Sequence, residues 1–348
     1  NRYNKSKIGN TVHPMTTYLL VDTANTFFRA RHIAHKSMDK WTKLGFSIHL
    51  TLSSVNKSWK LAQADHVVFA LEGRSWRKDF YEPYKKNRQI ARQALTEAEQ
   101  KEDKLFWEAY NNLTDFLNES TNCSVLQCEI AEADDIIARW ISMHPNDNHI
   151  IVSSDTDFVQ LVAPNVKQYN GIANNMITLE GIFNDNGQPI NDKKTGAPKE
   201  APNPAWLLFE KCMRGDPTDN IFSAYPGVRK KGSKNKVGLL AAFGDRNAKG
   251  YYWNNIMLQR WVDHYGTEHR VLDDYKRNCT LIDLTAQPAE IKQYIDDTVK
   301  SQITTKNNSI VGAKFLKFCG KYELTRIADD VTKYAEWLQK GYNNAIAS

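Results

Sequence analysis

The feature that most constrains this fold is a short, mostly apolar run that ends in acidic residues. Residues 149–152, His-Ile-Ile-Val, are followed by Ser153-Ser154-Asp155-Thr156-Asp157. Such a run predicts a short buried strand. In open α/β folds, ligands bind beyond the carboxyl ends of the strands, which is where Asp155 and Asp157 would lie. Taken alone, Asp-x-Asp is equally consistent with a turn that caps a helix.

Three further runs of the chain repeat this arrangement. Each has the length of a strand, is largely apolar and either ends in an acidic residue or precedes a cluster of them. The runs are residues 17–22, 65–72 and 124–130, and the acids are Asp22, Glu72, Glu132, Asp134 and Asp135. Stretches with helical spacing, 45–63 and 97–118, lie between them. The alternation predicts an α/β fold, with a mixed, mainly parallel central sheet flanked by helices.

The acids of these four strand ends would meet at one edge of such a sheet. Carboxylates packed together repel one another unless cations lie between them. None of the predicted ligands is His or Cys, so the donor set is oxygen alone, which indicates Mg²⁺ or Mn²⁺ rather than zinc. Asp216 and Asp219 lie three apart and add a candidate second metal site. On its own, the sequence Gly-Asp-Pro-Thr-Asp indicates only a turn.

Residues 74–92 interleave cations with aromatic side chains. Cations attract phosphates regardless of sequence, and aromatic faces stack on unpaired bases. The residues that we assign to nucleic-acid contact here are Arg74, Trp76, Arg77, Lys78, Lys86 and Arg92. Tyr84, Lys85 and Arg88 lie among them. The alternative is a solvated amphipathic helix, which is the usual meaning of a charge run.

A second basic segment follows a glycine-containing turn at Gly227. Glycine lets backbone N–H groups approach a phosphate closely. Its cations, which we also assign to nucleic-acid contact, are Arg229, Lys230, Lys231, Lys234 and Lys236. A flexible basic linker is the alternative. From residue 251 onward, the pattern predicts a helical region that wraps the core.

Composition narrows the class of protein. The chain has 348 residues, 25% of them charged, and a net charge of +6, which is a mild indication of a polyanionic partner. Its five cysteines are scattered and never form CxxC, which argues against a disulfide framework or zinc site and suits a reducing cytoplasm. No apolar run is long enough to span a bilayer and no signal-peptide pattern opens the chain, so we expect no membrane association. Residues 1–14 are polar and patternless, and we interpret them as a tail.

Six blocks of the sequence, taken in order, carry a resemblance. They are LLVDTAN (19–25), WRKDFYEPYKKNR (76–88), AEADDIIA (131–138), IIVSSDTDF (150–158), NVKQY (165–169) and MRGDPTDN (213–220). In this order they resemble the 5′ nucleases of the flap-endonuclease superfamily, in particular the RNase H branch of T-even phages. The similarity covers nearly the whole chain after Met15.

The resemblance implies a domain plan. Residues 15–225 would form the catalytic core, with a helical arch at about 74–118 and a loop insertion at about 184–204. Residues 226–348 would form a helix–hairpin–helix-like element and a helical C-terminal region.

The resemblance also implies an activity. It is Mg²⁺-dependent 5′→3′ exonuclease and flap-endonuclease hydrolysis of RNA or DNA in duplex, flap or fork substrates, which removes RNA primers during phage DNA replication. Two Mg²⁺ ions, replaceable by Mn²⁺, would lie among the nine acids. Tyr84, Lys85 and Arg88 would be catalytic residues that contact the displaced strand and the scissile phosphate, where a cation stabilises the charge that builds in the transition state. Arg29 would add a nucleic-acid contact. The further expectations are a K⁺ site at the hairpin, a monomer in the host cytoplasm, and a single-stranded-DNA-binding protein and sliding clamp as partners.

Two positions depart from the family pattern, and two other functions stay open. Glu72 stands where the family usually has Asp, and residues 229–236 insert lysines into the hairpin. A phosphatase of the haloacid-dehalogenase type needs Asp-x-Asp after its first strand, whereas this chain has Asp22-Thr23-Ala24. A nuclease fold that binds flaps without cutting would be expected to have lost several of the acids.

Overall fold

The computed structural model describes residues 15–34, 38–225 and 238–343. Its centre is a seven-stranded sheet. The strands are β1 Thr17–Asp22, β2 His66–Leu71, β3 Ser124–Gln127, β4 Asn148–Val152, β5 Val166–Asn170, β6 Asn175–Thr178 and β7 Gly181–Asn184. They lie in the order β3-β2-β1-β4-β5-β6-β7, with the first five parallel and the last two antiparallel. The predicted α/β fold is confirmed.

Helices cover both faces of this sheet. The first seven are α1 Thr23–Ile33, α2 Lys40–Ala62, α3 Arg77–Phe80, α4 Lys86–Gln93, α5 Glu97–Ser120, α6 Ala133–Met143 and α7 Pro204–Arg214. The later elements are α8 Leu239–Gly244, α9 Tyr251–Met257, β8 Arg260–Val262, β9 Glu268–Arg270, α10 Val271–Ile282, α11 Ala289–Gln302, α12 Val311–Lys321, α13 Thr325–Asp329 and α14 Val331–Leu338.

The central strand β1 shows why both faces are covered. Its residues alternate between two apolar cores, with Leu19 and Val21 in one and Tyr18 and Leu20 in the other. The first core is completed by α2, α5, α12 and α14, and the second by α6 and α11. A strand that is apolar on both faces gains about 1.5–3 kcal/mol for each large side chain that it buries. This burial fixes the strand ends that carry the acids.

A capping pair in the sequence explains where the long helix α5 begins. Thr96 and Glu99 form a reciprocal cap, in which the Thr96 hydroxyl accepts from the Glu99 N–H at 3.2 Å and Glu99 accepts from the Thr96 N–H at 3.0 Å. Two N–H groups that the helix leaves unpaired are thereby satisfied. The cap marks the boundary between the short helix α4 and the long helix α5.

Three features differ from, or add to, the sequence predictions. Strands β6 and β7 form a hairpin at the edge of the sheet that the pattern did not predict, because each has only four residues. The region after residue 251 is not purely helical, since β8 and β9 pair as a small hairpin. The five cysteines are free, and among the described residues no helix is both long and apolar enough to cross a membrane.

Candidate metal centre

The predicted acids converge at the carboxyl edge of β1, β2 and β4. Two groups of carboxylates have oxygens within 4.8 Å of one another. The first is Glu132, Asp134 and Asp135, and the second is Asp157, Asp216 and Asp219. Asp22 ends β1, Glu72 follows β2, and Asp155 lies just beyond β4. The second group joins Asp157, which follows β4, to Asp216 and Asp219, which follow α7.

The first group is built on the N-terminus of α6. The Glu132 N–H donates to Asp135 Oδ2 at 3.1 Å, so the helix begins with a cap made of two acids. Glu72 reaches the same helix end and accepts from the Ala133 N–H at 3.3 Å. The unpaired N–H groups and the dipole of a helix N-terminus favour negative charge. The backbone therefore helps to hold three of the acids in place.

A buried arginine neutralises part of this group. Arg77 is 1% exposed and donates to Glu132 at 2.8 Å and to both oxygens of Asp135 at 2.7 Å. Its Nε donates to the Leu281 carbonyl at 2.7 Å. The prediction that Arg77 contacts nucleic acid is therefore wrong for this structure, because its guanidinium is enclosed by protein and already donates to two carboxylates and a backbone carbonyl.

Asp135 needs the same correction as a predicted metal ligand. It is fully buried, and besides Arg77 its oxygens accept from Gln287 at 2.9 Å and from the Trp76 ring N–H at 3.3 Å. A carboxylate with every lone pair occupied has none to offer a cation. Asp135 belongs to the first group only because its oxygens lie nearby. Its hydrogen bonds hold Glu132 and Arg77 in their orientations.

Two aromatic residues of the basic segment are also interior. Trp76 and Tyr84 are each 5% exposed, and the Tyr84 hydroxyl donates to Glu132 at 2.8 Å. Stacking on a base or direct contact with a strand needs an exposed face, so both predictions are corrected. Tyr84 instead orients Glu132.

The remaining cations of the segment do face solvent. Lys78, Lys86 and Arg92 are exposed, as is Arg29 on α1. Arg74 is exposed but forms a two-pronged pair with Asp79, at 2.8 and 2.9 Å. The segment thus has two parts. Arg77 is buried against the acids, and the exposed cations form a basic outer surface.

Lys85 and Arg88 attach the base of α4 to the acid groups. The ammonium of Lys85 pairs with Glu132, and its backbone N–H donates to the Asp219 carbonyl at 2.8 Å. Lys85 has φ of 54°, a left-handed conformation that turns the chain between α3 and α4. Arg88 pairs with Asp219 at 2.7 Å. One cation from the base of α4 therefore contacts each group. The predicted contact of Lys85 and Arg88 with the displaced strand and the scissile phosphate stays a prediction.

The second group contains a cation that sequence reasoning missed. Lys211, on α7, pairs with Asp157 and lies 3.1 Å from Asp216. The available signal was its position five residues before Asp216 on a helix that leads into the acidic turn. A lone lysine at that spacing is ordinary in sequence, and only the fold brings it between two carboxylates.

A glycine makes the turn that carries Asp216. Gly215 has φ of +72°, and a Cβ there would lie 2.3 Å from the Ile221 carbonyl oxygen. Only glycine fits such a position without displacing backbone. The turn closes when Asp216 accepts from the Thr218 N–H at 2.9 Å, which fixes its carboxylate beside Lys211.

The pKa values of the acids show how crowded the edge is. Burial, with Glu72 and Asp155 nearby, raises the pKa of Asp22 well above its usual range. Burial and the neighbouring Glu132 do the same for Asp134. Glu72 is open to solvent on one side, yet surrounding protein weakens its hydration and, with Glu132, raises its pKa to about 7.

The two acids that hold lysines differ from each other. Burial and Asp155 raise the pKa of Asp157 to about 6, against the opposing effect of Lys211. Burial would also raise the pKa of Glu132, but Lys85 and Arg77 outweigh it and lower the pKa to about 2. The raised pKa values of Asp22, Glu72, Asp134 and Asp157 indicate carboxylates that are buried close together with too little positive charge from the chain to offset it.

This donor set fits a divalent hard cation. Several carboxylates keep lone pairs for a cation, namely Asp22, Glu72, Asp134 and Asp155. Like Asp157, Asp216 and Asp219, they offer only oxygen atoms. Oxygen-only sites suit Mg²⁺ or Mn²⁺. Asp22 is held by the Ser153 hydroxyl at 3.0 Å, and Asp155 by the Asp157 N–H at 2.9 Å, so their orientations are set before any ion binds.

We expect Mg²⁺ affinity to rise with pH between about pH 5 and pH 8, because protons compete with the ion for Glu72 and Asp157. The raised pKa values also mean that the folded, metal-free protein binds more protons than the unfolded chain, so its stability should fall as pH rises through this window. Titration calorimetry in two buffers of different ionisation enthalpy measures both affinity and proton release. An affinity that does not change with pH would contradict the raised pKa values.

The second basic segment cannot be placed. Gly227, Arg229, Lys230, Lys231, Lys234 and Lys236 lie outside the described residues, as do residues 1–14. The expected duplex grip and K⁺ site of the hairpin therefore stay predictions.

Comparison with known proteins agrees with this site. Residues 17–187 match the family of the 5′–3′ exonuclease N-terminal resolvase-like domain. The chain is 31% identical over 233 residues to a flap endonuclease Xni of Shewanella woodyi, covering 66% of this chain and 79% of that protein. It is 25% identical over 312 residues to ribonuclease H of phage T4, covering 82% of this chain and 86% of that protein.

A longer relative and a solved structure extend the comparison. DNA polymerase I of Rhizobium leguminosarum is 29% identical over 243 residues, which is 65% of this chain, and the chain spans 20% of that enzyme's length. A bacteriophage T5 flap endonuclease, solved with DNA and metal ions, shares the fold with a TM-score of 0.53 and 18% identity over 92% of this chain and 99% of that one. With the sheet, the acid groups and these relatives in agreement, the chain belongs to the 5′ nuclease superfamily of 5′–3′ exonucleases and flap endonucleases.

Proposed function

We propose that this chain is a Mg²⁺-dependent 5′→3′ exonuclease and flap endonuclease that hydrolyses phosphodiester bonds near the 5′ ends of RNA or DNA. The observation that carries the proposal is the pair of acid groups on one sheet edge, each contacted by a cation from the base of α4. Acids alone would repel a polynucleotide, and cations alone would bind it without chemistry. The two together suit a phosphate that is bound and cleaved at the same place.

The residues present would hold two Mg²⁺ ions, or Mn²⁺ in their place. Asp22, Glu72, Asp134 and Asp155 would hold one ion, and Asp157, Asp216 and Asp219 the other. When bound, such ions supply Lewis-acid polarisation of the phosphate and an activated water. Glu72 has one methylene more than the usual Asp, and its contact with the Ala133 N–H keeps it at the rim of the site.

The chain's own cations would act on the phosphate. Lys85 is 20% exposed at its side chain, and it faces the acids from the arch side. In the proposed function, Lys85 and Arg88 leave Glu132 and Asp219 to contact the scissile phosphate, where positive charge stabilises the charge that builds in the transition state. Arg77 stays behind and keeps Glu132 ionised. Surface cations, Arg29, Lys78, Lys86 and Arg92, would attract the substrate from solution.

The substrates would be duplexes with a 5′ tail, flap or fork, including RNA–DNA hybrids. We propose that the chain removes RNA primers during phage DNA replication, in the cytoplasm of a host cell. Its similarity to a protein named ribonuclease H of phage T4 supports RNA as a substrate. We further propose a monomer that works with a single-stranded-DNA-binding protein and a sliding clamp.

One digestion tests this proposal. A 5′-labelled flap substrate and an RNA-primed duplex are incubated with the protein in Mg²⁺, and product lengths are read on a gel. We expect short 5′ products from both, none in EDTA, and weaker binding as salt rises. Products that accumulate from the 3′ end, or cleavage that persists in EDTA, would overturn the proposal.

A further inference from the structure

One turn of α10 contacts the supports of both acid groups. The Leu281 carbonyl accepts from Arg77 at 2.7 Å, and Arg77 pairs with two carboxylates of the first group. Three residues earlier, Asn278 contacts the backbone on either side of the second group. Residues three apart are neighbours on the surface of a helix. A single short stretch of α10 therefore supports both halves of the candidate metal centre.

The second group is carried mainly by residues 213–222, which we call the acid loop. It contains Asp216 and Asp219, and it closes on itself because Asp216 and Ile221 exchange two backbone hydrogen bonds, each of 2.9 Å. These bonds fix the shape of the loop. Its position relative to the first group depends on contacts that reach it from other elements.

Asn278 supplies two of these contacts from one amide group. It is fully buried, and its Nδ2 donates to the Cys212 carbonyl at 2.8 Å and to the Phe222 carbonyl at 2.9 Å. Cys212 lies just before the acid loop, in the last turn of α7, where carbonyls lack a partner within the helix. Phe222 is the last residue of the loop. One amide thus joins both ends of the acid loop to α10.

Arg277 fixes the orientation of this amide. Its guanidinium donates to the side-chain oxygen of Asn278 from two nitrogens, each at 3.1 Å. Because that oxygen is occupied, the NH₂ group of the amide faces the two carbonyls. Arg277 is itself held by Asp274 at 3.2 Å and lies 4.9 Å from the centre of the Tyr81 ring. The amide is therefore oriented before any ion or substrate binds.

Further contacts reach the acid loop from the base of α4. The Lys85 N–H donates to the Asp219 carbonyl at 2.8 Å, and Arg88 pairs with the Asp219 carboxylate. In the proposed function, Arg88 leaves this carboxylate to contact the phosphate, so the loop loses one contact when substrate binds. The hydrogen bonds from Asn278 involve neither cation and would persist.

We propose that Asn278 is a positioning residue, which holds the acid loop at a fixed distance from the first acid group. Asn278 touches neither ion nor substrate and acts through the backbone of the loop. The inference rests on the proposed function, since the distance between the groups matters for a site in which two ions act on one phosphate. Without the amide, Asp216 and Asp219 keep their own turn but lose their fixed position opposite the other acids.

The test uses two substitutions of Asn278 in the full-length chain. Asn278→Leu keeps the branched shape without the donors, and Asn278→Asp keeps an acceptor for Arg277, so the second variant serves if the first does not fold. Electron paramagnetic resonance of free Mn²⁺ measures binding without DNA. We expect two ions in the parent. In the variants one ion should bind about 10- to 100-fold more weakly, the usual loss when an outer partner of a metal site changes. Single-turnover cleavage should need correspondingly more Mg²⁺ and recover when it is supplied.

Asn122 provides a matched control. It is also buried, and its Nδ2 joins two backbone carbonyls, those of Asn308 at 3.3 Å and Gln339 at 2.7 Å. It lies just before β3, at the amino end of the strand, whereas the acids lie beyond the carboxyl ends. Asn122→Leu and Asn122→Asp should keep both Mn²⁺ affinities. Equal weakening of Mn²⁺ binding in these controls would overturn the positioning role, because general loss of stability would then explain it.

Hydrogen exchange of the metal-free protein separates this inference from the proposed function. Loss of the amide should speed exchange of the acid loop by about 5- to 150-fold, while α6 keeps the parental rate. Faster exchange in the loop, with a parent that binds no Mn²⁺ and cuts no flap, would overturn the proposed function and support the role of Asn278 in holding the loop. A parent that binds two ions and cuts, with Asn278 variants that bind both ions equally well, would overturn the inference alone.

Discussion

Replacing Asp157 with Asn should abolish cleavage of a 5′-tailed duplex in Mg²⁺ while binding of the duplex survives. Asp157 shares its group with Asp216 and Asp219, and an amide there would remove negative charge that the proposed divalent ion needs. Losses of about 10- to 100-fold follow even when an outer partner of a metal site is changed, so loss of a direct ligand should exceed about 100-fold. Single-turnover cleavage and anisotropy measure the two effects separately.

Asp155→Asn gives the parallel test for the other side of the site. Asp155 is a proposed ligand of the ion that Asp22, Glu72 and Asp134 would share, so its loss should also stop cleavage. The control is Asp297→Asn on α11, where the carboxylate is exposed and accepts from Gln293 at 2.8 Å. The control should cleave at the parental rate. Parental cleavage by both site variants would show that the acid groups do not hold the catalytic metals.

Replacing Arg77 with Met should lower the free energy of unfolding by about 3–5 kcal/mol, because it leaves buried carboxylates without their cation. Glu132 and Asp135 are 4% and 0% exposed, and both pair with Arg77. The lowered pKa of Glu132 adds a pH signature. Its contribution to stability is present above the ordinary pKa of 4.5 and is lost as pH falls toward about 2. Urea unfolding at several pH values measures both.

Arg74→Met is the matched control, three residues away. Arg74 forms the same kind of two-pronged pair, but with Asp79 at the surface, where the two side chains are 62% and 68% exposed. Exposed pairs contribute about 1 kcal/mol or less. If the two variants lost equal stability, burial of the Arg77 pair would not be the source of its effect.

The strands were predictable because their pattern is local. Residues 17–22 were predicted as a strand and form β1 with those bounds, since a strand buried on both faces has a continuous apolar run. The predicted helix 97–118 is α5, which extends two residues further. Strands β6 and β7 escaped prediction because a run of four residues, with Gly or Asn among them, is too short to show the two-residue repeat of a strand.

The fates of the charged residues were only partly predictable. Arg74, Arg77 and Lys78 look alike in sequence, yet one is paired at the surface, one is buried among acids and one faces solvent. Burial of each cation depends on which element of the fold packs over it. For Arg77 this element is α10, whose Leu281 carbonyl accepts from Arg77 although it lies 204 residues away in the sequence. No local pattern contains that contact.

The sequence by itself determined that acidic residues follow parallel strands and therefore meet at one edge, because the parallel direction of the strands follows from the alternation of strand and helix. It also determined the chemistry of the ligands, since oxygen donors without His or Cys leave few metals to consider. Only the tertiary structure decided which acids are free to bind an ion. Arg77 takes Asp135 out of that set, and Lys211 enters between Asp157 and Asp216, because pairing of buried charges depends on contacts between residues far apart in the chain.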